Sequence, residues 1–262
     1  MTRALSDGCG CFPTGRHYPG IAHLLKIEIR GLAQGFAPDV AWDDVDIALL
    51  DVETTGRDAS VDRIVEIGIV VGRHGDVVAR YNWLINPGMP IPAEVSAIHH
   101  ITDDMVADKP RFEAIASEVA QALRGCVPAA YNAQFDRAFL MGEFSRAKPE
   151  LRGEAAGDGA KRAAIDVTGV AALTRETEWL DPLVWARDLQ SDEKSRALGD
   201  VAARLGVALE KAHRAQDDAE AALRVLYALG KDSRVPRAYG ALVQEQRRLA
   251  HAQADARRMW RS

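Results

Sequence analysis

The sequence predicts an α/β fold built on a mixed sheet. Residues 63–71 are apolar and β-branched, Gly75 supplies a turn, and residues 77–85 alternate as a partner strand, which together indicate a hairpin. Segments with apolar residues at helical spacing follow, and a short apolar strand candidate at 127–131 lies between them. A hairpin followed by alternating helices and a further strand is typical of α/β proteins.

The individual elements follow from apolar spacing and from the glycines that end it. The organised region begins near Trp42, and residues 46–51 form an apolar run that ends at Asp51. Phe112–Leu123 has apolar residues at helical spacing, and Gly125 ends that helix. Further helices are predicted over 134–144, 183–189, 198–205, 214–229 and from 236 onward.

Composition divides the chain into three parts. Residues 1–42 begin with a glycine- and proline-containing stretch and are predicted to be a partly disordered N-terminal extension. Residues 43–232 form the main domain, with an insertion around 148–176 that is rich in glycine, alanine and charge. Residues 233–262 are predicted to be a basic, helical C-terminal tail.

The charge of the chain is unevenly placed. The 262 residues are 47% hydrophobic and 27% charged, values that exclude a collagen-like or a highly charged disordered protein. The net charge is −5, yet the last thirty residues hold seven arginines and only two acids. The acidic remainder argues against simple electrostatic capture of nucleic acid, because that binding depends on cations that neutralise phosphates.

The sequence also indicates a compartment. It has no apolar stretch near the roughly 20 residues that span a bilayer, and its N-terminus lacks the apolar core of a secretory signal. Three cysteines do not make a disulfide framework, and the spacing of Cys9 and Cys11 matches no standard zinc pattern. A cytoplasmic protein without a membrane contact is therefore expected.

Acidic residues lie at the ends of three predicted elements. Asp51 and Glu53 are two residues apart in a strand, so they face the same side, where a divalent cation would relieve their repulsion. A solvated strand end is the alternative for this pair. Asp136 lies in the first turn of a helix, where the helix dipole alone could favour it.

The third acidic site combines a histidine with an acid. Asp218 lies one turn into a helix, and His213 precedes it, in a position that suits a general base, although a lone surface histidine is more usual. Four acids and a histidine fit one reaction class. Two Mg²⁺ or Mn²⁺ ions about 4 Å apart, held by carboxylates, can drive hydrolysis of a phosphodiester.

These residues occur in motifs that resemble those of the DEDDh exonuclease family. The motifs are Asp51-Val-Glu53-Thr-Thr-Gly56, Asn132-x-x-Phe135-Asp136 and His213-x-Ala215-x-x-Asp218, in the family's order and spacing. Three connecting segments support the resemblance, at 63–68, 98–102 and 179–189. It covers about residues 44 to 230.

The resemblance implies an RNase H-like fold, with a central five-stranded mixed sheet flanked by helices. It implies 3′→5′ removal of nucleoside 5′-monophosphates from DNA or RNA ends. The expected partners are nucleic-acid 3′ ends, with single strands preferred. Asp51, Glu53, Asp136 and Asp218 fall on the metal-ligand positions, and His213 falls on the general-base position. The positions that would contact the terminal nucleotide, or support the second motif, are Thr54, Thr55, Arg57, Ile98, His99 and Asn132.

Two residues depart from the family pattern. Arg57 replaces an apolar residue that wedges against the terminal bases, and a guanidinium there could stack on a base or bind phosphate. His100 replaces a glycine, and its side chain is expected to narrow the pocket.

Several functions stay open at this stage. The Thr-Thr-Gly form of the first motif favours a DNA 3′-end exonuclease in repair or proofreading, and an RNA-trimming exonuclease is the alternative. A non-catalytic nucleic-acid-binding adaptor that keeps the fold is a third hypothesis. The basic tail is interpreted either as a helix packed on the body or as an arm that contacts phosphate or a protein partner.

Overall fold

In a computed structural model of the chain, which describes residues 29–147, 165–209 and 213–259, four strands form one mixed sheet. The strands are β1 (Ile47–Thr54), β2 (Ile64–Arg73), β3 (Asp76–Leu84) and β4 (Val127–Ala129). Their order is β3-β2-β1-β4, with β1 antiparallel to β2 and parallel to β4. The β2–β3 pair is the hairpin that the sequence predicts.

Helices flank this sheet and end close to their predicted limits. They are α1 (Ala93–His99), α2 (Asp103–Val106), α3 (Phe112–Leu123), α4 (Gln134–Arg146), α5 (Pro182–Leu189), α6 (Leu198–Arg204), α7 (Ala215–Leu229) and α8 (Tyr239–Met259). Short 3₁₀ turns lie at Trp42–Asp44 and Ala171–Leu173. The two short helices α1 and α2 follow a proline-rich stretch and have no sequence periodicity long enough to predict them.

The expectation of five strands is wrong for the described residues, in which the sheet has four. A fifth position is marked by an isolated parallel bridge between Ala129 and Leu180. Leu180 donates to the carbonyl of Pro128, and its own carbonyl accepts from Ala130. Pairing ends there because Asp181 caps helix α5 and Pro182, at the first helical position, has no N–H to donate.

The two faces of the sheet build two apolar layers, since β1 is buried on both sides. Ile47 and Leu49 join a cluster that includes residues of α5, α7 and α8, whereas Ala48 and Leu50 join the cluster on the α3 and α4 side. The alternation of a strand therefore assigns the later odd-numbered residues of β1 to the α7 face. That assignment positions the functional acids.

The C-terminal helix α8 packs on the body. Tyr239, Leu242, Val243 and Leu249 are buried, and the Tyr239 hydroxyl accepts the N–H of Ala33 from the segment that precedes the sheet. Among the described residues, no helix is both long and apolar enough to cross a bilayer. Most of the predicted N-terminal extension (1–28) and of the 148–176 insertion (148–164) lies outside the described residues.

Candidate metal centre

Strand β1 presents the first two acids of the site. Asp51 and Glu53 continue the face of Ile47 and Leu49, at the point where the apolar run ends and helix α7 begins opposite. Both side chains are partly buried. Two carboxylates therefore share one face at the edge of the apolar layer.

A glycine opposite Asp51 allows α7 to reach them. Gly68 pairs with Asp51 in the β1–β2 register, and a Cβ atom at Gly68 would lie 2.3 Å from the carbonyl carbon of Ala215. Any larger residue would push the start of α7 away from the sheet, since real Cβ atoms do not approach backbone so closely. Asp218, one turn into α7, is thereby held beside β1.

Glu66 anchors the same helix from β2. Its buried carboxylate accepts hydrogen bonds from Nε (3.2 Å) and from a terminal nitrogen (2.7 Å) of Arg214, and from the N–H of Ala215 (3.2 Å). Asn82 donates to it at 3.0 Å. These bonds lower the pKa of Glu66 against the opposing effect of burial, so it stays ionised and fixes the entry to α7.

Three carboxylates converge at this junction. One oxygen each of Asp51, Glu53 and Asp218 lie within 4.8 Å of one another, a spacing at which a single ion could be bound by all three. Among the described residues, no lysine or arginine forms an ion pair with any of them. Hard oxygen donors without a protein cation are the set that Mg²⁺ or Mn²⁺ takes.

The electrostatics of the cluster agree with that fit. Burial, reinforced by the charges of Asp136 and Asp218, raises the pKa of Asp51 well above its ordinary value. Burial and the charge of Asp218 raise the pKa of Glu53 to about 7. A bound cation would offset both the burial and the mutual repulsion that raise these pKa values, so the cluster favours a cation.

Asp136 lies next to this group and not within it. It is buried in the first turn of α4, and one of its oxygens accepts the N–H of Val52 at 3.1 Å. Burial raises its pKa well above the ordinary value, and the hydrogen bond opposes that effect. Asp136 is thus held against β1 at Val52, within electrostatic reach of Asp51 and Glu53.

His213 lies at the open edge of the cluster. Its φ is +68°, its side chain is exposed, and its backbone N–H donates to Asp218 at 2.9 Å. The left-handed backbone turns the chain sharply before α7, so the imidazole is not buried under the helix. An exposed imidazole beside the acids can exchange protons with solvent.

The predicted nucleotide-contact positions divide by exposure. Thr54 and Thr55 are buried, and their hydroxyls bond within the chain, Thr54 to the carbonyl of Gly56 and Thr55 to Asp62. Arg57 and Ile98 are exposed, the latter by 56%. The other two predicted positions differ in the same way, with His99 buried and Asn132 exposed.

His100 has a backbone role at the end of helix α1, which the sequence does not predict. It is the C-cap of α1, with φ +59°, and its N–H donates to the carbonyl of Ser96. Its side chain is exposed, and its effect on the width of the nucleotide pocket stays a prediction. A glycine suits this position because it adopts left-handed backbone without strain.

Two acids with structural roles, the partly buried Asp181 and the buried Glu66, are not among the site residues that the sequence predicts. Asp181 accepts the N–H groups of Asn132 and Ala133, at 3.0 and 3.2 Å, and so fixes the turn that leads to Asp136. Glu66 fixes the start of α7 in the same way. An acid inside the apolar run 63–71 was a signal for Glu66, and an Asp-Pro pair before a helix was one for Asp181.

Comparisons with known proteins agree with this arrangement. The sequence profile of the RNase T-type exonuclease family matches residues 49–226. The DNA polymerase III epsilon subunit of Treponema pallidum (strain Nichols) is 44% identical over 108 residues, which are 41% of this chain and 50% of that protein. The chain thus spans half the length of this relative.

Solved exonucleases share the fold. Exonuclease X, in complex with 5′ overhanging duplex DNA, superimposes with a TM-score of 0.53 at 22% identity, over 75% of this chain and 99% of that one. E. coli exonuclease I, in complex with a dA16 oligonucleotide, gives 0.56 at 17% identity, over 71% and 41%. The predicted RNase H-like architecture is confirmed, apart from its strand number.

The profile match covers more than half of the chain. It includes Asp51 and Glu53 of β1, Asp136 of α4 and Asp218 of α7. Together with the carboxylate cluster, it confirms the prediction of a metal-dependent exonuclease. The chain belongs to the RNase T-type exonuclease family.

Proposed function

We propose that this protein is a 3′→5′ exonuclease that releases nucleoside 5′-monophosphates from DNA ends by hydrolysis. The convergence of Asp51, Glu53 and Asp218 without a protein cation carries the proposal, since this set suits divalent ions and little else. Asp136 is the fourth ligand position, beside Asp51. Two bound Mg²⁺ or Mn²⁺ ions would supply Lewis-acid activation of water and stabilisation of the leaving oxygen.

The chain's own residues perform the remaining work. His213, exposed at the edge of the cluster, accepts the proton that the attacking water loses and releases it to solvent. The hydrogen bond from the backbone N–H of His213 to Asp218 holds the proposed base next to this ligand. Exposed Ile98 and Arg57 offer an apolar face and a guanidinium to the terminal nucleotide, while the buried threonines hold the loop after β1.

DNA is proposed as the substrate because one relative is a DNA polymerase III subunit and two solved neighbours are in complex with DNA or a dA16 oligonucleotide. We propose a role in repair or proofreading, which the name of the polymerase subunit supports. Such a substrate is compatible with the predicted cytoplasmic location. A protein partner bound through the tail, and preference for single strands, stay predictions.

Activity can be tested with strands labelled at either end. Purified protein with Mg²⁺ should release labelled mononucleotide at once from a 3′-labelled single strand, and should shorten a 5′-labelled strand stepwise. Asp51→Ala and His213→Ala should each lower the rate by about a thousandfold or more.

Asp217→Ala is the matched control, because it removes an acid adjacent to Asp218 that points about 100° away on the helix. It should digest at close to the wild-type rate. Strand binding without release of mononucleotide would favour the adaptor hypothesis instead. Faster digestion of a matched RNA oligomer would assign the enzyme to RNA.

A further inference from the structure

A cleft lies between the start of α4, whose first turn holds Asp136, and the C-terminal helix α8. It has a volume of about 710 Å³ and is lined by four arginines, Arg137, Arg187, Arg247 and Arg257. Helix α8 begins after residue 226, where the family match ends. The α8 side of the cleft, with Arg247 and Arg257, therefore lies outside the family match, whereas Arg137 and Arg187 lie within it.

The acids of this cleft are already engaged. Both oxygens of Asp181 accept backbone N–H groups, from Asn132 and Leu183 on one oxygen and from Ala133 on the other. Glu178 lies 4.0 Å from Arg247. Two formal negative charges thus face four arginines, and both have protein partners.

Among the described residues, the other three arginines of the cleft have no carboxylate within ion-pair distance, and Asp181 acts on Arg187 only from farther away. Arg187 and Arg257 form no hydrogen bond or ion pair within the described part of the chain, and Arg137 donates only to the carbonyls of Thr174 and Arg175. Burial, and next the charge of Arg257, lower the pKa of Arg187. Two neighbouring guanidinium groups of like charge are costly unless an anion lies between or beside them.

Several other arginines of the protein are paired with acids. On the outer side of the same helix, Arg248 is paired with Glu245 at 2.6 Å, and Arg258 with Asp255. In another cleft of about 820 Å³, next to β3, Arg80 and Arg224 both bind Glu220. Arg187 and Arg257 differ from these arginines, because among the described residues no carboxylate lies within ion-pair distance of either.

The cleft is directly connected to the catalytic residues. Gln246 of α8 accepts the N–H of Asp181, which in turn holds Asn132 and Ala133. Asp136 follows Ala133 by three residues in the first turn of α4. A strand whose 3′ end lies at the metal centre therefore meets an adjoining basic surface.

We propose that this cleft binds backbone phosphates of the nucleic-acid strand, with Arg187 and Arg257 as the principal contacts. The inference rests on the proposed function, because it takes the strand that the metal centre cuts as the ligand of the cleft. Arginine suits this task, since its planar fork binds phosphate oxygens in pairs. The α8 helix thus adds affinity that the acidic body cannot supply.

The test is the salt dependence of strand binding in EDTA, where no cleavage occurs. The probe is a 5′-labelled single-stranded DNA oligomer, with wild type, Arg257→Gln, Arg187→Gln/Arg257→Gln and Arg248→Gln compared over a range of salt. Each cleft arginine removed should lower the slope of log affinity against log salt by about 0.7. Arg248→Gln, on the same helix with the same charge change, should keep the wild-type slope.

Equal slopes for Arg257→Gln and Arg248→Gln, whether changed or unchanged, would overturn the proposal. Arg257 is exposed, so its single variant folds even if loss of the half-buried Arg187 disturbs α5. Since binding in EDTA needs no turnover, this result is independent of activity. A lower slope together with an inactive wild-type enzyme would contradict the proposed function and leave the phosphate cleft standing.

Discussion

Two sets of buried carboxylates in this protein have opposite electrostatic states. Glu66 and Glu143 are almost fully buried, yet their pKa values are lowered, because Arg214 binds the first, and Arg63 and Arg146 bind the second. Asp51 and Glu53 are less buried, and their pKa values are raised. Burial alone does not decide ionisation here; the presence of a cation does.

The two sets are parts of one construction. Arg63, just before β2, binds Glu143 of α4 through two contacts of 2.8 Å, and Glu66 of β2 binds Arg214 before α7. Each pair ties a helix that carries a metal-centre acid to the same strand. The paired acids fix the helices on the sheet. The unpaired acids keep their negative charge available for a bound metal ion.

The largest expected effect is on the free energy of unfolding, which two isosteric substitutions should change in opposite directions. Glu143→Gln removes the partner of half-buried arginines and should destabilise the metal-free protein by about 3 kcal/mol. Asp51→Asn removes a charge that has no cation and should stabilise it at neutral pH. Urea denaturation in EDTA measures both, and equal destabilisation by the two substitutions would erase the distinction.

A second effect is the pH dependence of stability. A raised pKa in the folded state means that protonated Glu53 favours folding, so its contribution is present below about pH 4.5 and is lost as pH rises through about 7. Bound metal should offset that loss. Saturating Mn²⁺, worth about 2.7 kcal/mol at a hundredfold excess over Kd, should raise Tm more at about pH 8 than at about pH 5.

Melting curves with and without EDTA at both pH values check this expectation. Asp51→Asn should show little Mn²⁺ effect at either pH. A Tm increase of the same size at both pH values would mean that the ion binds elsewhere.

The smallest effect concerns the support of Glu66. Asn82→Ala deletes one of its hydrogen bonds, the contact of 3.0 Å, and should cost about 1 kcal/mol of stability, because Arg214 and Ala215 still hold the carboxylate. Chemical denaturation measures the loss, and strand digestion should proceed at nearly the wild-type rate. A loss of activity without a loss of stability would show that Asn82 acts on the metal centre.

Sequence patterns predict the elements and the metal-centre acids better than their supports. Period and spacing indicate the hairpin, the longer helices and the two acids of β1, because a strand or a helix fixes which side chains share a face. The role of Gly68 depends on the β1–β2 register and on the position of α7. Neither is a local property of the chain.

The number of strands and the C-terminal cleft could not be predicted from the sequence, and the reason is the same for both. Leu180 reaches the sheet as a single bridge because the cap at Asp181 ends the pairing, and spacing does not show where pairing stops. The arginines of the cleft come from α4, α5 and α8, elements far apart in sequence. Their shared cleft follows from tertiary packing alone.

The central claim is that the unpaired carboxylates of β1 and α7 bind a catalytic divalent ion. Calorimetric titration with Mn²⁺ at neutral pH tests it most directly, on wild type, Asp51→Asn and the control Asp217→Asn. We expect wild type and Asp217→Asn to bind Mn²⁺, and Asp51→Asn to lose at least tenfold in affinity. Equal Mn²⁺ binding by all three proteins would contradict it.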